Sequence, residues 1–203
     1  MMRLLYAPAS PFVRKVTITA RAKGLSDQIT LEITDTRAPA NAALWSANPL
    51  AKIPALVLED GTSLYDSGVI CEYLDSLAPS PILFPSSGLE RYRMLTRASL
   101  CDGIMEAAVL IVYEERFRPA DKRVPEWVAR QQAKIDGGLA ALAADPPRWS
   151  GHPDYSDIAL AAALGYLDFR FGGVWRARHA ALIPWLDRFA AAVPAYAQTT
   201  PQG

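Results

Sequence analysis

The chain has 203 residues, 51% of them hydrophobic and 21% charged, enough for one large domain or two modest ones that each bury a core. Its 21 basic residues balance 21 acidic ones, and a net charge of zero gives no support for a nucleic-acid or acidic-membrane partner. Cys71 and Cys101, both in apolar, helix-like sequence, do not make a disulfide framework.

Leu4-Leu5-Tyr6 reads as a short strand and is followed by the turn-rich Ala7-Pro8-Ala9-Ser10-Pro11. No long apolar run occurs here, and Arg14-Lys15 interrupts the apolar sequence beyond Pro11. Neither a secretory signal nor a membrane anchor is expected, and the expected location is the cytoplasm. Val13, Val16, Ile18, Ala20 and Ala22 then suit a helix ended by Gly24. Ser10 stands where an N-cap residue precedes a proline at the first helical position. Its hydroxyl is either a helix cap or a group that polarises a ligand. Ile29-Thr30-Leu31-Glu32-Ile33 alternates with period two and is the second strand of a β-α-β unit. A polar stretch from Asp35 to Asn41 leads to a short helix over Ala42 to Ser46.

Asn48-Pro49-Leu50-Ala51-Lys52-Ile53-Pro54 is a two-proline turn that runs into the strand Ala55-Leu56-Val57-Leu58. Pro54 lacks a donor and belongs at the mouth of a strand, where the backbone of Ile53 is extended and its polar groups stay available to a ligand. Asp60-Gly61 is a hairpin turn, and Thr62-Ser63-Leu64-Tyr65 is the returning strand. Asp66 and Ser67 precede the helical run from Val69 to Leu74. Either could cap it, and the exposed amides of its first turn could bind an anionic group.

Three prolines and three serines between Leu77 and Gly88 mark a domain boundary. Beyond it strand signals almost vanish. A long helix is predicted from Leu89 to about Arg118, with Met94, Leu95, Ala98, Cys101, Met105, Ala108 and Val109 at spacings of three or four, and with Tyr113 and Arg116 on one face. Further helices are predicted over Glu126 to Ala144, Asp154 to Arg170 and Leu182 to Ala192, the last credible one before a polar tail. Asp154 and Asp157 have the spacing of a capping arrangement, a folding device rather than a catalytic pair. His152 and His179 are isolated, and no zinc-ligand spacing occurs, so no metal is expected.

In this order and spacing three segments resemble the cytosolic glutathione transferase superfamily, in its serine-type or bacterial form. They are Ser10-Pro11-Phe12-Val13-Arg14-Lys15-Val16, Asn48 to Leu56, and Leu64-Tyr65-Asp66-Ser67-Gly68 with the helix after it. The resemblance covers nearly the whole chain. It implies an α/β plus all-α architecture: a thioredoxin-like, glutathione-binding domain over 1–78, a linker over 79–88, and an all-helical domain over 89–203 that contributes an electrophile site.

The resemblance further implies that Pro54 is a cis proline, and that Ile53 pairs its backbone with the cysteinyl part of glutathione. Lys52 would approach the glycyl carboxylate. Asp66 and Ser67 would engage the γ-glutamyl part, with Phe12 also at the glutathione site. Ser10 becomes the sulfur-site residue, because its hydroxyl can donate to a thiolate and favour it over the thiol. Tyr6 is a neighbouring alternative, less suited by its strand position. Cys71 and Cys101 read as core residues, which weighs against a cysteine-based glutathionyl-transfer mechanism. Asp66 stands where many members have glutamate. The activity implied is attack of the glutathione thiolate on a small electrophile, apolar or aromatic, with detoxification as its role. The electrophile would be held in a cleft between the domains lined by Phe12, Met105, Val109, Tyr113 and Arg116. Glutathione is thus a co-substrate, and the partner implied is a second copy in a homodimer. The alternatives are a non-catalytic binding or interaction protein of this fold, and a glutathione-dependent isomerase or dehalogenase.

Overall fold

Leu4 and Leu5 are adjacent, point to opposite sides of one strand, and are both fully buried, so the first strand lies at the centre of a two-faced layer. The computed structural model describes residues 1–37 and 41–202, so the polar stretch expected between Asp35 and Asn41 lies partly outside the described residues. Two compact units emerge: Met1–Ser86 together with the segment from Val193 onward, and Ser87–Ala192.

The first unit has the β-α-β-α-β-β order read from the sequence. Its elements are β1 (Met2–Tyr6), α1 (Pro11–Ala22), β2 (Ile29–Ile33), α2 (Ala42–Ala47), β3 (Ala55–Val57), β4 (Ser63–Tyr65) and α3 (Ser67–Ser76). The sheet order is β2-β1-β3-β4, with β1 parallel to β2 and antiparallel to β3, and β3 antiparallel to β4. On one face Leu5 and Ala55 pack with Leu44 and Ala47 of α2. Full burial of a leucine such as Leu44 contributes about 1.5–3 kcal/mol. The helices α1 and α3 pack together, and the Thr19 hydroxyl donates to the Cys71 sulfur at 3.4 Å. Edge strand β2 departs from simple alternation: Ile29 is buried, but Leu31 and Ile33 are exposed.

The second unit contains α4 (Gly88–Phe117), α5 (Pro125–Ala144), α6 (Tyr155–Phe171), α7 (Trp175–Arg178) and α8 (Ile183–Ala192). Helix α6 is buried from Tyr155 to Leu167, as expected for a run of small and apolar residues between other helices. Asp154 accepts from the Asp157 N–H while the Asp157 carboxylate accepts from the Asp154 N–H, each at 3.0 Å, closing a capping box. Arg97 of α4 donates to Asp154 at 2.8 Å and to the Ser156 hydroxyl at 2.6 Å. Gly172 ends α6 at φ 61°, a left-handed conformation suited to glycine. Gly138 lets α5 approach α4: a Cβ there would stand 2.7 Å from Ile104.

Sequence periodicity missed two short helices, α7 and α9 (Ala195–Gln198). The segment from Val193 onward also departs from the expected second domain of 89–203, because it belongs to the first unit. Arg14 explains this: its guanidinium donates to the Tyr196 carbonyl at 2.9 Å and lies 4.1 Å from the Tyr196 ring centre, drawing α9 onto α1. Among the described residues no helix is long and apolar enough to cross a membrane.

Candidate functional site

Ala55 pairs with Leu5 on one side and Tyr65 on the other. This register brings three chain segments to one end of the sheet: the exit of β1 toward Ser10, the entry to β3 at Ile53-Pro54, and the exit of β4 at Asp66-Ser67. Each is a loop or helix start whose backbone polar groups lie outside the sheet ladders.

Ser10 is the N-cap of α1, half-buried, with its Oγ accepting the Val13 N–H at 3.3 Å and Pro11 at the first helical position. A hydroxyl has one donor and two acceptor positions, so capping the helix leaves its proton able to donate to a second partner. The cap and the ligand-polarising readings are therefore compatible. Phe12, the next residue but one, is half-buried on α1, 5.7 Å from the Lys15 ammonium.

Before β3, the Ile53–Pro54 peptide is cis. Pro54 is buried, and the Ile53 side chain packs onto the Leu5, Leu44, Ala47 and Ala55 cluster. What Ile53 offers a ligand is thus its backbone, not its side chain. Lys52 is exposed, and its ammonium has no partner among the described residues. The loop ahead of them is closed by Asn48, buried and bonded through its side chain to Leu50 and Lys52. The sequence pattern gave Asn48 no role of its own.

At the third segment the structure decides between the two candidate caps of α3. Asp66, at φ 66°, is the N-cap and accepts the Gly68 N–H at 2.7 Å. Ser67 is the buried first residue of the helix. The Asp66 carboxylate is exposed and keeps further acceptor positions beyond the Gly68 bond.

Of the residues expected around an electrophile, Met105 is corrected: it is fully buried and presents no surface, because it lies on the inward face of α4. Val109 is half-buried, whereas Tyr113 and Arg116 are exposed, and Tyr113 meets Phe117 edge-on at 5.1 Å. Beside Tyr113 and Arg116 lie Tyr166 and Arg170 of α6, which the periodicity of a buried helix did not single out. Burial pushes the Tyr166 phenol up, while the adjacent Arg170 and the field of Arg116 oppose that shift. Among the described residues no cluster of three histidine, cysteine or acidic side chains could hold a metal. Cys71 and Cys101 are buried and outside any disulfide.

The family model described as "Glutathione S-transferase, N-terminal domain" matches residues 9–77, and "Glutathione S-transferase, C-terminal domain" matches 125–188. The chain belongs to the glutathione S-transferase family. Among curated relatives of this family member, the uncharacterized GST-like protein YibF of Escherichia coli K12 is 35% identical over 83% of both chains. Maleylacetoacetate isomerase of Pseudomonas aeruginosa is 33% identical over 81% of this chain and 77% of its own. Two crystal structures of a glutathione transferase family member from Pseudomonas fluorescens Pf-5 cover 100% of both chains. The one with bound glutathione has a TM-score of 0.94 at 40% identity. The one with bound S-(propanoic acid)-glutathione has 0.88 at 38%. The thioredoxin-like first unit and helical second unit are those of the family.

Proposed function

We propose that this family member is a glutathione transferase that binds glutathione at the shared end of the sheet and adds its sulfur to a small electrophile. The observation that carries this reading is the placement of Ser10, Ile53-Pro54 and Asp66-Ser67 at one sheet end by the register around Ala55. The Ile53 backbone takes the cysteinyl unit, Lys52 attracts the glycyl carboxylate, the α3 N-terminus at Ser67 receives the γ-glutamyl carboxylate, and Asp66 meets its ammonium. Ser10 keeps its Val13 bond and donates its proton to the sulfur, stabilising the thiolate. The thiolate then attacks the electrophilic carbon. A C–S bond forms, and either a leaving group departs with its electron pair or water protonates the conjugated acceptor.

Tyr113 and Arg116, with one cation beside aromatic surface, fit an aromatic or acidic acceptor. The acid-bearing conjugate bound by the Pseudomonas fluorescens neighbour favours the acidic class. A second reading, reversible addition that isomerises a double bond, is favoured by the similarity to maleylacetoacetate isomerase. The test is an assay with 1-chloro-2,4-dinitrobenzene, acrylate and a cis-configured unsaturated diacid. Conjugate formation supports transfer, isomerised acid without net loss of glutathione supports the second reading, and glutathione binding without either product supports a binding protein.

The exposed Leu89, Tyr92 and Leu100 form an open apolar stretch of α4 that fits a second copy of the chain, testable by light scattering. Two buried thiols outside any disulfide suit the reducing cytoplasm.

A further inference from the structure

Asn48 is 3% exposed, and all four of its polar handles are engaged within a few residues. Its N–H donates to the Leu44 carbonyl at 2.8 Å, and its carbonyl accepts the Ala51 N–H at 2.8 Å. Its side-chain oxygen accepts the Leu50 N–H at 3.0 Å, and its side-chain amide donates to the Lys52 carbonyl at 2.9 Å. A primary amide, with one acceptor and one donor end, satisfies both side-chain bonds at once. The loop so closed contains Ala51 at φ 49°, a left-handed conformation that costs a non-glycine residue roughly 1–2 kcal/mol and needs such anchoring.

The bond to Lys52 acts beyond the loop. The Lys52 carbonyl and the Ile53 N–H belong to one planar peptide, which is not among the cis bonds of the described residues. In a trans peptide the C=O and N–H point in opposite directions. Turning the oxygen toward buried Asn48 therefore turns the Ile53 N–H away from it. Among the described residues that N–H has no hydrogen-bond partner, although Ile53 itself is packed on the core. A backbone donor fixed in direction and left unbonded at a sheet end suits the carbonyl of an extended peptide ligand.

We propose that Asn48 is the positioning residue of the peptide clamp, setting the Lys52–Ile53 peptide plane so that the Ile53 N–H is preset for the cysteinyl carbonyl of glutathione. This rests on the glutathione reading above. Asn48→Asp is the discriminating variant: it keeps the acceptor for Leu50 but sets a carboxylate oxygen against the Lys52 carbonyl, which drives that peptide to rotate. Glutathione titration of the native protein comes first, and an absence of binding overturns both the reading and this proposal. With native binding in hand, Asn48→Asp raises Kd and KM for glutathione about tenfold while kcat at saturation changes less than threefold. A folded variant with unchanged affinity, or with kcat reduced as much as affinity, overturns the role of Asn48 and leaves the glutathione reading standing.

Amide hydrogen exchange on the native protein decides the matter if the variant does not fold. The Ile53 amide exchanges fast without glutathione and at least tenfold slower with it, while the Leu50 and Ala51 amides are protected in both states. Leu50 and Ala51 exchanging as fast as Ile53 in the free protein would mean that Asn48 does not hold the loop.

Discussion

Lys23, at the end of α1, and Asp75, in the last turn of α3, form an ion pair at 2.8 Å in which the ammonium side chain is wholly buried. The same ammonium donates to the Pro81 carbonyl at 2.6 Å, and the Asp75 carboxylate accepts the Leu83 and Phe84 N–H groups at 3.0 and 3.2 Å. The pair thus pins the segment after α3. Removing one partner of a buried pair strands the other, at a cost of about 3–5 kcal/mol. Asp75→Ala is expected to destabilise by that amount in urea unfolding, and Lys23→Met by less, because the Asp75 carboxylate left behind still accepts the Leu83 and Phe84 N–H groups. A loss under about 1 kcal/mol for Asp75→Ala would place the pair with exposed ones.

Ser10→Ala removes a helix cap and, on the proposed glutathione reading, a donor to the bound sulfur. A hydrogen bond to a charged group contributes about 1.5–3 kcal/mol, so the pKa of bound glutathione should rise by about one to two units and turnover at neutral pH fall about 10- to 100-fold. Glutathione binding should persist. Thiolate absorbance during a pH titration of the complex measures this directly, and an unchanged pKa removes Ser10 from the sulfur site. The lost cap should cost a further 0.5–2 kcal/mol of stability, roughly, by thermal unfolding.

Burial, and then the neighbouring Asp154 carboxylate, push the Asp157 carboxyl up to about 6, against the opposing pull of the Asp154 N–H and Arg97. The unfolded chain releases this proton near its ordinary value of 3.8, whereas the folded chain keeps it until about pH 6. The folded state is therefore favoured by this group at low pH and loses that advantage as pH rises through 6. Between pH 7 and pH 5 the native protein should gain about 1 kcal/mol relative to Asp157→Asn. Paired denaturant titrations at the two values check the sign, and parallel profiles would refute it.

Arg14→Met keeps an apolar stem in place but removes both the bond to the Tyr196 carbonyl and the cation over its ring. Loss of the two together should cost about 1–3 kcal/mol and loosen the C-terminal segment. Limited proteolysis should then cleave near α9 at least several-fold faster than in the native chain, with the second unit's cleavage rate unchanged.

What could be read in the sequence was local. Ser10-Pro11 and Asp154-Asp157 announce helix starts because a cap oxygen and the N–H it accepts are three residues apart. The Asp60-Gly61 turn and the strands beside it arise from the same short-range chemistry. Asn48 was visible only as part of a turn, since its function depends on which carbonyl its amide meets. Lys23 and Arg14 are charged residues that local sequence alone would leave in solvent, but both are buried, because their partners Asp75 and Tyr196 arrive from 52 and 182 residues away. Met105 fits the helical period of α4, and that period does not say which inward residue reaches a ligand. The four-residue helices α7 and α9 are too short for a period to register.

The return of α9 to α1 has a consequence for synthesis. A ribosome finishes the sheet and its first helices about a hundred residues before it makes Tyr196, roughly 5–20 s earlier at 5–20 residues per second. During that interval Arg14 has neither the carbonyl nor the ring that later hold it, although Ser10 already caps the same helix. The nascent first unit must wait with a guanidinium lacking its final partner until the intervening helices have emerged. A stop codon before α9 would leave every residue of the sheet end in the product, and would still make that waiting state permanent.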